Sequence, residues 1–337
     1  ESVAKTIGKN LNGYKIICTK STVPIGTGKR IEEIIRSVNP NGDFDYVSNP
    51  EFLREGAAVK DFLHPDRVVI GTRTQKAIDV MGEVYRPLYI NETPIISTTV
   101  ETAEMIKYAA NAFLSLKISY INEIANLCEA VGADVQEVAR AMGLDGRISA
   151  KFLHPGPGYG GSCFPKDTHA LAATGQKNSS PLLTVEAAIK TNASQKVRMV
   201  DKLKRIMGGS FKGKTVAVLG LAFKPQTDDV REASSIVIVS NLAESGATVQ
   251  AYDPIAMDNF KNHFPNIQYF GSWQDAVKNA DACILLTEWN EFRGMDLNEL
   301  KDLMNNPVLL DTKNIISIQE LESMGFTYDN VGRKSPP

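Results

Sequence analysis

The chain has 337 residues, 37 Lys and Arg against 39 Asp and Glu, and 43% hydrophobic residues, a composition ordinary for a globular protein. That length accommodates two or three domains with their own cores, and a net charge of −2 argues against nucleic-acid or anionic-membrane partners. No apolar run approaches the roughly 18 residues of a membrane helix, no secretory pattern is visible, and the four cysteines and four histidines lack metal or disulfide spacing; the cytoplasm is expected, without a metal.

Glu1 to Asn10 reads as the tail of a helix, and Asn12-Gly13 turns the chain into the apolar strand Tyr14–Cys18. Further strands are expected at Asp45–Ser48, Arg67–Gly71 and Pro94–Ser97, with helices near 26–37 and 74–88. That alternation predicts a mostly parallel sheet faced by helices. Such a domain ordinarily opens on a strand and a phosphate loop, yet no G-x-G-x-x-G stands near the start. Val100 to Val131 holds neither Gly nor Pro, and Ile106, Ala109, Phe113, Ile121, Ala125, Cys128 and Val131 recur close to helical spacing. A helix of that length, about 50 Å, joins domains better than it fits inside one.

Shorter helices are expected around Asp134–Met142 and after Pro165, and a long one from about Pro181 to Met207 with one wet face. Lys214–Gly220 opens a second βαβ series. Its later strands are Thr248–Tyr252, Ala282–Leu286 and Val308–Leu310, with helices near 233–244, 273–279 and 297–304. Right-handed crossovers make it a second doubly wound sheet. The expected class is α/β: two Rossmann-like domains joined by a long central helix.

The chemistry concentrates in Gly158-Tyr159-Gly160-Gly161-Ser162-Cys163-Phe164-Pro165-Lys166-Asp167. The glycines let the backbone wrap closely round a ligand, and Pro165 suits the first turn of a helix. Cys163 then stands just ahead of a helix N-terminus, whose partial charge favours a thiolate, with Lys166 adding a full charge. Asp167, four residues on, is placed to steer a proton or a water. A buried structural cysteine is the plainer alternative, and a cysteine hydrolase with His154 or His169 a third.

Other segments are weaker by themselves. Lys20-Ser21-Thr22-Val23-Pro24 ends a strand where α/β sheets bind ligands, and otherwise reads as a turn. Glu51 and Glu55 are i, i+4, so a helical turn would bring the two carboxylates to one side for acid–base work, or they are solvated charges. Lys107 and Asn111 share a helix face as donors for an oxyanion, or are surface residues. The loop from Asp145 to Gly158 could clamp a diphosphate. Gly220-Leu221-Ala222 is a degenerate phosphate loop, which with the cations Lys224 and Arg231 and the strand-end Asp253 suggests a second dinucleotide site.

Together these segments resemble, over almost the whole chain, the nucleotide-sugar 6-dehydrogenases of the UDP-glucose/GDP-mannose dehydrogenase family. The resemblance rests on S-T-V-P from Ser21, N-P-E-F-L from Asn49, K-x-x-x-N from Lys107, and G-G-S-C-F-P-K-D from Gly160. It implies NAD-dependent two-step oxidation of a sugar primary alcohol to a carboxylate, through a cysteine thiohemiacetal and thioester. In that template Cys163 is the nucleophile, Lys107 and Asn111 stabilise the oxyanion, and Asp167 and Glu51 assist through water. Thr22 holds the reacting sugar and its water. It also implies a nucleotide-sugar pocket of Glu55, Arg147 (offered from a partner subunit), Lys151, Phe152, Leu153, Tyr159, Gly160, Phe223 and Lys224. NAD contacts fall to Thr22, Glu55, Lys166 and Arg231, the last at the pyrophosphate.

Phe164 and the segment from Lys224 to Ser235 look closer to the UDP-glucose branch, so UDP-glucose is the expected substrate, with GDP-mannose or another nucleotide sugar the alternative. The family's glycine fingerprint lies upstream of S-T-V-P, so the chain is expected to lack the first part of its NAD domain. Residues 1–98 would be the partial NAD domain, 99–207 the central helical domain and 208–337 the UDP-binding domain. By itself such a chain is expected to bind the nucleotide sugar with little turnover. The apolar stripe on the long helix predicts a homodimer.

Overall fold

The computed structural model describes residues 1–333, so the last four residues of the expected 208–337 domain lie outside the described residues. The fold divides into two compact units, one of Glu1–Asn111 with Ala170–Pro181, the other of Ala112–His169 with Leu182 onward.

The first unit runs α1 (Ser2–Asn10), β1 (Lys15–Thr19), α2 (Thr27–Val38), β2 (Phe44–Ser48), α3 (Ala58–Leu63), β3 (Val68–Gly71), α4 (Gln75–Tyr85), a 3-10 turn Arg86–Asn91, β4 (Ile95–Thr98) and the start of α5 (Val100–Val131). Its four strands lie in the order β1-β2-β3-β4. β1 and β2 are parallel, as are β3 and β4, but β2 meets β3 antiparallel through the single pair Ser48 and Gly71. The mostly parallel sheet expected from the strand–helix alternation therefore reverses in its middle. Val47, Val68 and Ile70 are buried with Ala77, Met81 and Tyr85 of α4, which covers one side of the sheet. Ile35 of α2 packs with Ala4 and Phe44 in a second small cluster.

The second unit holds the rest of α5, α6 (Val135–Gly143), the first part of α7 (Phe164–Lys177) and α8 (Leu183–Ile206). Its α/β part continues through β5 (Thr215–Leu219), α9 (Ser234–Glu244), β6 (Thr248–Tyr252), α10 (Met257–Lys261), β7 (Gln268–Tyr269), α11 (Trp273–Val277) and β8 (Ala282–Leu285). It ends with α12 (Asn290–Arg293), α13 (Leu297–Leu303), β9 (Val308–Asp311), α14 (Ile318–Ser323) and β10 (Thr327–Asn330). The six strands form a fully parallel sheet in the order β10-β9-β8-β5-β6-β7, a Rossmann-like arrangement whose order reverses between β5 and β8. Every residue of β8 is buried, and Val216–Leu219 of β5 likewise, as a parallel sheet covered on both faces requires.

Strands β7 and β10 and helices α3, α10, α12 and α14 are short elements that the apolar periodicity did not announce. Thr327–Asn330 has a polar sequence, yet Asp329 is buried because Lys202 of α8 lies 3.0 Å from it and Arg205 pairs with it at 2.5 Å. Lys202 also lies 2.8 Å from Glu129 of α5, and Arg198 2.7 Å from the same carboxylate. A buried ion network thus supplies what hydrophobic pattern does not.

The seven apolar residues expected on one stripe of α5 fall on different sides. Ile121, Ala125 and Cys128 are core residues, while Phe113 and Val131 are 62% and 68% exposed. Phe113 and Val131 are 18 residues, five full turns, apart and so share a face, which lies to one side of the face that Ile121, Ala125 and Cys128 bury.

Candidate active site

Within the second unit, Cys163 immediately precedes α7 and is a free, half-buried thiol. The helix begins at Phe164, one residue before the Pro165 start expected from the sequence. Asp167 N donates to the carbonyl of Cys163 at 2.9 Å, closing the first turn. The Asp167 side chain has no exposure and pairs with Lys166, whose own side chain is 56% exposed. Ser162 Oγ lies 3.7 Å from Cys163 Sγ, either group able to donate. Cys163 thus stands beside a hydroxyl at a helix start whose first turn carries a buried carboxylate paired with an accessible cation.

The loop leading to Cys163 is fastened along its length. Asn122 Oδ1 accepts from Gly156 N at 2.8 Å, and Gln195 Nε2 donates to Gly156 O at 2.9 Å. Asn192 reads both sides of one residue, accepting from Tyr159 N at 2.7 Å and donating to Tyr159 O at 3.1 Å. Ser234 Oγ donates to Pro157 O at 3.1 Å, and Gly161 N to Arg231 O at 2.8 Å. Gly161 has φ +80, and a Cβ there would lie 2.7 Å from the Phe223 ring; at Gly160 it would lie 2.5 Å from Glu232 O. The two glycines let the segment around Phe223–Ala233 press directly on the cysteine loop.

Lys196, buried on α8, donates to Glu232 O at 2.8 Å, and burial lowers its pKa. Asn122, Asn192, Gln195 and Lys196 were missed by the sequence reading. Their signal was available in part: Asn192, Gln195 and Lys196 are i, i+3 and i+4, a polar stripe on the face of α8 that the structure buries.

Of the expected sugar-pocket residues of this unit, Phe152, Tyr159, Gly160 and Phe223 meet at this loop. The Phe164 ring makes edge contacts with Phe152 and Tyr159, both at 6.0 Å between centroids. Phe152 adopts φ 66, a left-handed conformation that costs a bulky residue on the order of 1–3 kcal/mol. Lys117 of α5 donates to the carbonyls of Ile148 and Ser149 at 3.0 and 3.1 Å and so steadies the turn just before it. Leu153 is a core residue, so its side chain has no part in a pocket and only its main chain is available. Arg147 is 90% exposed and forks onto Asp145 at 2.6–3.2 Å. Lys224 is half-buried with its Nζ 5.3 Å from the Phe223 ring centroid, and Arg231 forks onto Asp229 at 2.7–3.1 Å.

Within the first unit, Lys107 is 3% exposed on α5 and lies 3.3 Å from Glu51 Oε1. Asn111, one turn on, is buried beside it. Arg67 stacks on the Phe52 ring at 3.7 Å, and Lys107 lies 5.3 Å from the same centroid. Glu51 Oε2 accepts from Leu53 N at 2.6 Å. The Glu51–Glu55 segment is not helical, so the two carboxylates do not share a helix face as expected; Glu51 folds onto its own backbone and Lys107. Thr22 is half-buried in the turn after β1. Glu104, also missed, is buried on α5 and accepts from Gly26 N and Gly28 N at 2.6 and 2.8 Å, gripping the head of α2 just beyond Thr22.

Three family models match in sequence: the NAD binding domain of the UDP-glucose/GDP-mannose dehydrogenase family over residues 1–89, its central domain over 101–194 and its UDP binding domain over 217–318. A UDP-glucose 6-dehydrogenase of Rhizobium meliloti is 51% identical over 334 residues, covering 98% of this chain and 76% of that one. The chain belongs to the UDP-glucose/GDP-mannose dehydrogenase family. Another relative, the UDP-glucose 6-dehydrogenase TuaD of Bacillus subtilis, is 48% identical, covering 99% of this chain and 72% of its own length. Among solved structures, a UDP-glucose dehydrogenase from Pyrobaculum islandicum superposes with a TM-score of 0.89 at 34% identity, over 95% of this chain and 72% of that one.

The NAD binding domain of the family is matched over residues 1–89, and nothing in that match supports the expected loss of its first part. NAD is the family's cofactor. Glu104 already takes the N–H groups at the head of α2, which closes that turn to a pyrophosphate. The exposed cations Lys166 and Arg231 fit a diphosphate's charge. Among the described residues, no helix is long and apolar enough to cross a membrane.

Proposed function

We propose that this chain catalyses the NAD-dependent oxidation of UDP-glucose to UDP-glucuronate, with Cys163 as the covalent nucleophile. The observation that carries the reading is the placement of Cys163 at the head of α7, in a loop whose backbone is held by buried side chains. Covalent attack demands that kind of fixed nucleophile.

The first oxidation turns the C6 alcohol into an aldehyde, which cannot be oxidised further until a nucleophile adds. Cys163 sulfur forms a bond to C6, and the carbonyl oxygen takes up the negative charge. Lys107 and Asn111, donors one helical turn apart, are assigned to that oxyanion. The second oxidation gives a thioester. Water attacks it, the C6–S bond breaks, and the thiol returns; Asp167 and Glu51 orient that water and take its proton. Bound NAD supplies the hydride acceptor for each oxidation, with Lys166 and Arg231 assigned to its phosphates and Thr22 and Glu55 to its reacting end. Phe152, Tyr159, Gly160, Phe223, Lys224, Lys151, Arg147 and the main chain at Leu153 are assigned to the nucleotide sugar.

Conversion is checked by following NADH absorbance and product with UDP-glucose, GDP-mannose and UDP-N-acetylglucosamine side by side. UDP-glucose is expected to give two NADH per sugar. Cys163→Ala is expected to form no UDP-glucuronate, and Cys163→Ser to accumulate an ester at residue 163 by mass spectrometry, because an alkoxide leaves less readily than a thiolate. Full acid formation by Cys163→Ala overturns the assignment.

A second copy of the chain is the proposed partner. Phe113, Tyr120 and Leu127 recur every seven residues on α5 and are 62%, 45% and 57% exposed, a row suited to a two-fold helix pairing. Sedimentation as a dimer is expected, and a monomer at micromolar concentration overturns it.

A further inference from the structure

The turn after β5 carries the donors of a phosphate loop, and from sequence it suggested a second dinucleotide site. The fold fills that turn from within. Asp253, at the end of β6, has no exposure. Its Oδ2 accepts from Leu221 N at 2.7 Å, Ala222 N at 3.1 Å and Trp289 Nε1 at 3.1 Å. Its Oδ1 accepts from Ile255 N and Ala256 N, both at 2.9 Å. One carboxylate thus satisfies five N–H groups, two of them those a pyrophosphate would use.

The surroundings leave no second way in. Leu221 and Ala222 are buried, and Trp289 is 8% exposed over the carboxylate. A Cβ at Gly220 would lie 2.6 Å from the backbone nitrogen of Thr287, so the chain beyond β8 closes on the turn. That is the point between β5 and β8 where the strand order reverses and where open α/β sheets take their ligands. The carbonyls of the same two residues are also held, Leu221 O by Ser235 Oγ and Ala222 O by Thr287 Oγ1, both at 2.6 Å.

We propose that Asp253 is a built-in anion that closes this turn to a dinucleotide and, by fixing it, positions Phe223 and Lys224 for the nucleotide sugar. The first half stands on the geometry alone; the second rests on the function proposed above. Phe223 follows the locked turn directly, donates from its own N–H to Asp229 O at 3.1 Å, and lays its ring on Gly161, two residues from Cys163. Asp253 is a positioning residue, since its route to the substrate passes through the turn.

The test is rescue by a small anion. Asp253→Ala removes the carboxylate and leaves room for formate; Asp253→Asn fills the same space but points an amide N–H2 at N–H donors. Both variants are expected to melt earlier and to raise KM for UDP-glucose about 10-fold, with kcat within about 2-fold. Formate, not chloride, is expected to restore melting temperature and KM in Asp253→Ala, and neither in Asp253→Asn. If Asp253→Ala does not fold alone, its refolding yield with formate against chloride is the same readout. Wild-type melting and KM in Asp253→Ala, a loss that formate does not restore, or a second equivalent of NAD bound by the wild type each overturns the proposal. If the wild type does not turn over UDP-glucose, the proposed function fails, and formate-dependent melting still decides on Asp253.

Discussion

The loop from Gly156 to Ser162 and the loop from Asn49 to Gly56 each carry groups assigned to the reaction, and they are held in different ways. The first is gripped by buried amides of Asn122, Asn192 and Gln195 and by Ser234. The second is anchored at its start, where Asn49 donates to Val69 O at 2.7 Å and receives the Tyr85 hydroxyl, and at Glu51, which meets the buried Lys107 at 3.3 Å. Beyond that point Arg54 pairs with Asp61 at 2.7 Å, and the Arg54 side chain is 67% exposed. A nucleophile that must form a bond gains from a fixed position, whereas a carboxylate acting through a water tolerates looser support. Amides with both a donor and an acceptor suit the first task, because backbone groups buried without partners are costly.

The comparison can be pressed by substitution. Lys107→Ala removes the buried ammonium beside Glu51 and is expected to raise the barrier by about 3–4 kcal/mol, read as kcat; near-normal turnover would remove Lys107 from the chemistry. Asn192→Ala strips partners from both polar groups of Tyr159 and is expected to cost about 2–3 kcal/mol of stability by denaturant unfolding, with a fall in kcat. A stability loss without any change in kcat would show that the grip on this loop serves folding only. Arg54→Ala, on the looser loop, is expected to change stability by less than about 1 kcal/mol, as exposed ion pairs do. A larger loss would mean that both loops are held alike.

The smallest effect concerns the head of α2. Burial raises the Glu104 pKa above its usual 4.5, while the N–H groups of Gly26 and Gly28 oppose the rise. A folded-state pKa above the unfolded one contributes stability that is fully present below the unfolded value and lost as pH rises through the folded one. Wild-type protein should therefore gain stability relative to Glu104→Gln as pH falls toward 4.5. A difference independent of pH over that range would refute the assignment.

Much of the architecture was legible before any coordinates. The glycine- and proline-free run from Val100 predicts a helix ending at Val131, and α5 has those limits. Strands such as Ala282–Leu285 announce themselves because both faces of a parallel sheet are buried and the sequence turns continuously apolar. The Cys163 motif likewise places a cysteine at a helix start, since glycine, proline and the helix terminus act over a few residues. Glu51 and Glu55 mark the limit of such local reading. Spacing of four implies a shared face only if the segment is helical, and here Glu51 binds the backbone nitrogen of Leu53 instead.

By itself, then, the sequence determined the elements set by local rules: the long helix, the buried strands, and a cysteine at a helix start within a recognisable family pattern. Only the tertiary structure decided which polar groups meet. It gave Asn192 to Tyr159, Glu104 to the head of α2 and Asp253 to the turn after β5, across separations of 33, 76 and 32 residues. Such pairings leave no periodic trace in the chain, because a buried acceptor is selected by the donors that surround it in space.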